Sequence, residues 1–305
     1  MFVSLLRMTA DCRYAERPSY LLSNTMQNRS ARLYAAAAIL IWASLAALGV
    51  KLAHLPPFLL VGATLTFAGL ITLPTLRQWR VPASTFAIGV AGLFGYHFFL
   101  FVAFRNAPPV EANLLNYLWP LLIVLLAPLL LPGTRLTRRH LLAAATGFVG
   151  AMLVVSKGHA GFDSSYLGGY GAAAFAALLW ASYSLLTRRV PPFPTAAVGG
   201  FCLVSGLLAL SCHLLLEPAT PLLAGDLPWI LLLGAGPMGG AFFLWDKAMK
   251  TGDAREMGLM AFLTPLLSTV ILVLAGGGTL DSWALAGGLL IVGGALAGTR
   301  PTASA

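Results

Sequence analysis

Charge is scarce in this chain. Asp, Glu, Lys and Arg together make up 10% of its 305 residues, against roughly a quarter in an ordinary soluble domain. Hydrophobic residues account for 58%, and 32 glycines come on top. A water-soluble globule this apolar could not cover its own surface with polar groups, and a disordered chain would need far less apolar content. Cysteine is rarer still, and the three present form no framework. Cys12 stands alone in the N-terminal tail. Cys202 and Cys212 lie ten residues apart on one predicted helix, about 15 Å along its axis and too far for a disulfide. No CxxC, HExxH or Cys/His cluster occurs, so no metal and no cofactor is expected. Acidic residues number 10 against 19 basic ones, a net charge of +9. In a soluble protein that excess would point to nucleic acid. Here it reads as the positive-inside tendency of membrane proteins. The expected partners are a lipid bilayer and a small-molecule substrate, with no nucleic acid; oligomeric state stays open, a monomer being compatible.

Long apolar runs are what the chain does have. A membrane-spanning helix needs about 20 such residues. Runs fall at 32–52, 57–76, 83–104, 110–131, 138–156, 166–187, 195–216, 228–249, 255–275 and 282–299. Loop chemistry separates them: His54-Leu55-Pro56-Pro57, Arg80-Val81-Pro82, Pro108-Pro109, Pro132-Gly133, Pro191-Pro192 and Gly276-Gly277-Gly278. The loops are short, so neighbouring helices should be antiparallel, and none is large enough for a soluble domain. The expectation is an all-α integral membrane protein of ten transmembrane helices. Residues 1–31 form a polar tail without a secretory signal, Met26 offering an alternative start, and 300–305 form the other tail. On this layout sixteen basic residues share one side: Arg7, Arg13, Arg17, Arg29, Arg32, Arg77, Arg80, Arg135, Arg138, Arg139, Arg188, Arg189, Lys247, Lys250, Arg255 and Arg300. Only Lys51, Arg105 and Lys157 face the other. The split predicts that both termini lie in the cytoplasm.

The two halves, 32–156 and 166–299, resemble each other. Trp42-Ala43-Ser44 matches Trp180-Ala181-Ser182, Phe98-Phe99-Leu100 matches Phe242-Phe243-Leu244, and Pro120-Leu121-Leu122 matches Pro265-Leu266-Leu267. The offsets are 138, 144 and 145. Glu111 and Glu256 each precede the proline by nine residues. Five helices per repeat is an odd number, so the second repeat should enter the membrane inverted. Such inverted repeats are a transporter architecture with the substrate near the midplane, here in a central cavity.

With that frame, the pairing of Tyr96-His97-Phe98-Phe99 with the run Glu111-Ala112-Asn113-Leu114-Leu115-Asn116-Tyr117-Leu118-Trp119-Pro120 resembles the drug/metabolite transporter superfamily, EamA type. Within it the run is similar to the aromatic amino acid exporter branch, the YddG-like proteins. The resemblance covers residues 32–299. It implies a basket-like bundle in a bacterial inner membrane that exports hydrophobic and aromatic amino acids and related small metabolites by alternating access.

Helical spacing nominates the substrate wall. At about 100° per residue, with Asn113 as zero, Asn116 falls at about 300°, Tyr117 at about 40°, Pro120 at about 340° and Trp119 at about 240°. Two amides and a phenol on one face would be costly against lipid. They should face a cavity, or alternatively bond neighbouring helices. Tyr96 and His97 lie deep on the third helix. His97 is a candidate proton carrier or hydrogen-bond partner, or a satisfied core histidine. Trp42 and Trp180, beside Ser44 and Ser182, are candidate aromatic walls or plain packing. Pro120 and Pro265 are candidate hinges or static kinks. At the repeat offsets Asn113, Asn116 and Tyr117 map to Gly258, Ala261 and Phe262, and Tyr96 and His97 map to Gly240 and Ala241. One cavity wall should therefore be polar and aromatic and the other smooth, with Phe262 on it. Trp79, Trp229 and Trp283 read as interfacial anchors, and Gly236/Gly240 and Gly294/Gly298 as close helix contacts.

No Asp, Glu, Lys or Arg is expected at mid-membrane. The embedded glutamate that couples protons in small multidrug-resistance relatives has no match. Cations that would hold a phosphorylated substrate are missing too. A neutral or zwitterionic solute and weak or absent ion coupling follow. The alternative within the superfamily is a proton-coupled exporter of other metabolites or drugs. An intramembrane enzyme would need a Ser/His pair, HExxH or paired deep acids, none of which is present. A sensor would need a soluble signalling domain.

Overall fold

The computed structural model describes residues 17–159, 161–276 and 279–299, with side chains from 27 onward. Cys12 and most of the N-terminal tail, Gly277, Gly278, Arg300 and the C-terminal tail lie outside them. Among the described residues every regular element is helical. We number the helices α1 Gln27–Leu52, α2 Pro57–Leu70, α3 Ala83–Asn106, α4 Pro109–Leu130, α5 Arg138–Ser156, α6 Ser164–Leu186, α7 Thr195–Leu216, α8 Ala224–Thr251, α9 Ala254–Leu274 and α10 Ser282–Thr299.

Nine of these are long and apolar enough to cross a membrane. The exception is α2, and it corrects the expected run at 57–76. The helix ends at Leu70 after 14 residues, and the short helix Leu73–Trp79 turns away from it by 84°. Thr72 at the bend bonds its hydroxyl to the Gly69 carbonyl at 2.7 Å, and Pro74 cannot donate into the preceding turn. If the bent pair is one span the total is ten. Trp79, at the end of the turned segment, is buried rather than interfacial; it packs on Gly199 and Gly200 of α7.

The helices pair across the halves. α2 lies along α7, α5 along α10, α1 against the second part of α8, and the second part of α3 against α6. Small residues make the first two pairs close. A Cβ added at Gly206 would stand 2.4 Å from the Thr66 backbone nitrogen, and one at Gly287 would stand 2.5 Å from the Gly150 carbonyl. Gly294 likewise meets the Ala143 carbonyl at 2.8 Å, as expected for close helix contact. Gly206→Val should therefore lower the melting temperature of the purified protein by an overpacking cost of about 1–3 kcal/mol; an unchanged melting curve would contradict the close approach.

Irregular positions recur with the repeat. Ala91–Gly95 and Gly236–Gly240 are both π-helical turns, 145 residues apart. The breaks at Tyr117 (ψ 4°) and Phe262 (ψ −16°) share that offset, and each falls three residues before Pro120 or Pro265. The structural register in this region is thus 145, not 144. Tyr96 corresponds to Ala241 and His97 to Phe242, one residue beyond the sequence match. Gly236 and Gly240 serve the π-turn; a Cβ at Gly236 would meet only Ile41, at 3.7 Å.

Candidate functional site

A cavity of about 450 Å³ lies inside the bundle, within the range of small-molecule sites. Its floor is aromatic. Trp42 and Trp180 stand edge to face at 5.8 Å, and Trp119 lies 6.2 Å from Trp42 and 6.4 Å from Trp180. Phe242 closes the ring, 5.4 Å from Trp180. Beneath them Trp245, 1% exposed, touches Trp42 at 5.3 Å and Trp119 at 5.6 Å. Its Nε1–H donates to the Ser184 hydroxyl at 3.0 Å. Apart from Trp180 and Phe242, the lining residues lie at the middle or toward the end of the bundle that carries Lys51, Arg105 and Lys157.

The polar wall comes from α3 and α4. Asn116 donates from Nδ2 to the Tyr96 hydroxyl at 3.3 Å, while its Oδ1 is buried without a partner among the described residues. His97 places Nδ1 2.7 Å from the Leu93 carbonyl. A carbonyl only accepts, so Nδ1 carries a hydrogen, and in the singly protonated ring Nε2 is then an acceptor. The π-turn supplies that carbonyl. The matching π-turn does the same for Trp42, whose Nε1–H donates to the Pro237 carbonyl at 3.1 Å. Both cavity rings are thereby fixed in orientation.

Tyr96, His97, Asn113, Asn116, Tyr117, Trp119, Trp42 and Trp180 line the cavity. Ser44, Ser182, Phe262, Pro120 and Pro265 do not. Ser44 turns its hydroxyl back on the Ile41 carbonyl at 2.7 Å, at a break in α1. Ser182 is half-buried on α6, and the hydroxyl that bonds beneath the floor belongs to Ser184. Phe262 is fully buried away from the cavity, against Ala151, Val154 and Ile291 of α5 and α10. The prolines are buried behind the breaks that precede them. Thr64, Thr264, Ser268 and Phe242 line the cavity without having been singled out by sequence. Thr264 corresponds to Trp119 at offset 145, so the repeat could have nominated it. Among the described residues no Asp, Glu, Lys or Arg lines the cavity.

The opposite end of the bundle is tied shut between the halves. Arg32 pairs with Glu256 at 2.6 Å, Arg189 donates to the Leu130 carbonyl at 3.0 Å, and Arg255 donates to the Arg135 carbonyl. Within the second half, Arg188 reaches the Gly252 carbonyl at 2.7 Å. Arg189 thereby satisfies the carbonyl of Leu130, the last residue of α4, which has no partner within the helix. Burial opposes ionisation of Asp253, but hydrogen bonds and charge from Arg255 outweigh it and hold that carboxylate below its ordinary range.

Residues 29–156 and 167–298 each match the EamA-like transporter family. The chain belongs to that family. The two matches make this EamA chain an internal duplication. It is 40% identical over 283 residues to the aromatic amino acid exporter YddG of Ancylobacter novellus, covering 90% of this chain and 98% of that one. It is 28% identical over 198 residues to protein PecM of Dickeya dadantii, covering 63% and 64% of the two chains. A solved crystal structure, 40% identical and covering 89% of this chain and 98% of its own, superposes with a TM-score of 0.85. The resemblance drawn from the Tyr96 and Glu111–Pro120 segments thus holds. This EamA protein is a multi-pass membrane protein of a transporter family, not of an enzyme family.

Proposed function

We propose that this protein exports aromatic and hydrophobic amino acids across the bacterial inner membrane. Two inverted five-helix repeats, 32–156 and 166–299, open the central cavity alternately to either side, with both termini in the cytoplasm. The observation that carries the reading is the cavity. Three tryptophans form its floor, neutral hydrogen-bonding groups form one wall, and no charged side chain among the described residues lines it. An aromatic ring laid on the floor gains area burial and about 0.5–1.5 kcal/mol from ring contact. A zwitterion brings no net charge into a wall that has none to offer. The swapped helix pairs and the π-turns repeated at offset 145 support two halves able to exchange roles. The sixteen-to-three charge split supports the orientation, so the cavity faces outward in this conformation.

The test is purified protein in liposomes loaded with phenylalanine, tyrosine or tryptophan. Saturable efflux above that of protein-free liposomes is expected; no such flux overturns the reading. With no acid or base other than His97 in the wall, flux should persist when no pH difference is imposed, and His97→Gln should keep it. Strict dependence on a proton gradient, abolished by His97→Gln, would establish proton coupling instead.

A further inference from the structure

Below the aromatic floor lies a second set of buried polar groups that the outward cavity does not use. Asp246 is 2% exposed. Its Oδ2 accepts from the Thr195 hydroxyl at 2.6 Å and from Lys250 Nζ at 2.7 Å. Among the described residues its Oδ1 has no hydrogen-bond partner, and neither has the buried Tyr183 hydroxyl. Lys250 Nζ also donates to the Phe193 carbonyl at 3.1 Å and sits 3.3 Å from the centre of the Phe193 ring. A carboxylate, a carbonyl and an aromatic face together recognise a primary alkylammonium. The group they hold here is the protein's own.

The repeat says what this layer becomes. At offset 138 the cavity residues Leu45 and Ala46 correspond to Tyr183 and Ser184. At offset 145 the cavity residue Phe101 corresponds to Asp246. When the halves exchange roles, Tyr183, Ser184 and Asp246 line the cavity that faces the cytoplasm. Burying a carboxylate is costly, and its counterpart in the outward cavity is a phenylalanine. The two faces therefore differ in chemistry at equivalent positions.

We propose that Asp246, with the Tyr183 hydroxyl, binds the primary ammonium group of the transported amino acid on the cytoplasmic side, and that Lys250 occupies this site while that side is closed. The proposal rests on the alternating-access reading above. An ammonium brings three donors, enough for the unpartnered Asp246 Oδ1 and Tyr183 oxygen as well as Oδ2. Replacing one ammonium by another leaves the buried charge unchanged, so loading adds no new charge to the site. On the outward side the same ammonium meets only neutral groups.

The test is cytoplasmic-side kinetics with L-phenylalanine in proteoliposomes of verified orientation. Asp246→Asn should raise the cytoplasmic-side KM about tenfold or more, the loss of one charge-assisted bond. Lys250→Met removes the competitor and should lower that KM, the opposite sign. The double variant, which buries no unpaired charge and so folds even if a single variant does not, should keep the high KM. If Lys250→Met raises KM as Asp246→Asn does, or the double variant matches the parent, the pair is a structural tie and the proposal falls. Absence of phenylalanine flux in the parent would instead overturn the transport reading itself.

Discussion

Trp119→Ala is expected to slow transport of phenylalanine, tyrosine and tryptophan about thirtyfold at low substrate concentration. Trp119 meets two other tryptophans at the cavity floor, at 6.2 and 6.4 Å, and Trp245 beneath it at 5.6 Å. Removing it takes away one ring contact with the substrate, about 1 kcal/mol, and roughly as much again in buried area. The sum of about 2 kcal/mol corresponds to about thirtyfold. Tyr117→Ala, higher on the wall, should cost about fivefold by losing a single contact. Alanine should be transported less differently than tryptophan by the Trp119 variant, because a recognition surface discriminates among side chains. Equal loss for all amino acids in a variant that elutes as a single species would point to gating.

Phe262→Ala should behave in the opposite way. Its ring is fully buried among Ala151, Val154 and Ile291, and a Cβ at Gly147 would meet it at 2.7 Å. Truncation leaves a cavity in a tight helix junction, costing about 3–5 kcal/mol. The expected result is a large fall in melting temperature and in yield, with the surviving protein keeping the parental KM for phenylalanine. A stable variant with a raised KM would put Phe262 in the binding wall after all.

These two variants mark where sequence patterns carry and where they stop. The stripe Asn113, Asn116, Tyr117 and Trp119 could be read because helical angles hold within one element, and all four line the cavity. Trp42 and Trp180 could be read because a rare residue recurs in both halves. Phe262 was misplaced because a repeat relates sequence positions, whereas an open cavity on one side makes equivalent residues face different surroundings. Tyr96 and His97 were matched one residue short because nothing in the sequence marks the two π-turns, and the local Phe-Phe-Leu match favours 144 over 145. Ser44 and Ser182 were singled out by the tryptophans two residues before them, but two steps along a helix turn a side chain about 200° away. Thr264 and Ser268 were passed over because hydroxyls are unremarkable in membrane helices, where they often bond their own backbone. The end of α2 at Leu70 was hidden by an apolar run that continues through the bend.

Access to the cavity tests the central claim most directly. Ala46 lines it, and a single cysteine there, with Cys12, Cys202 and Cys212 replaced, reports which side reaches it. A membrane-impermeant thiol reagent added outside cells should label Ala46→Cys, and L-tryptophan should slow that labelling in proportion to its occupancy of the site. The same reagent confined to the cytoplasmic side should not reach it in the conformation described here. Labelling from the cytoplasmic side alone, or labelling that tryptophan does not slow at any concentration, would contradict an outward-facing cavity that binds aromatic amino acids.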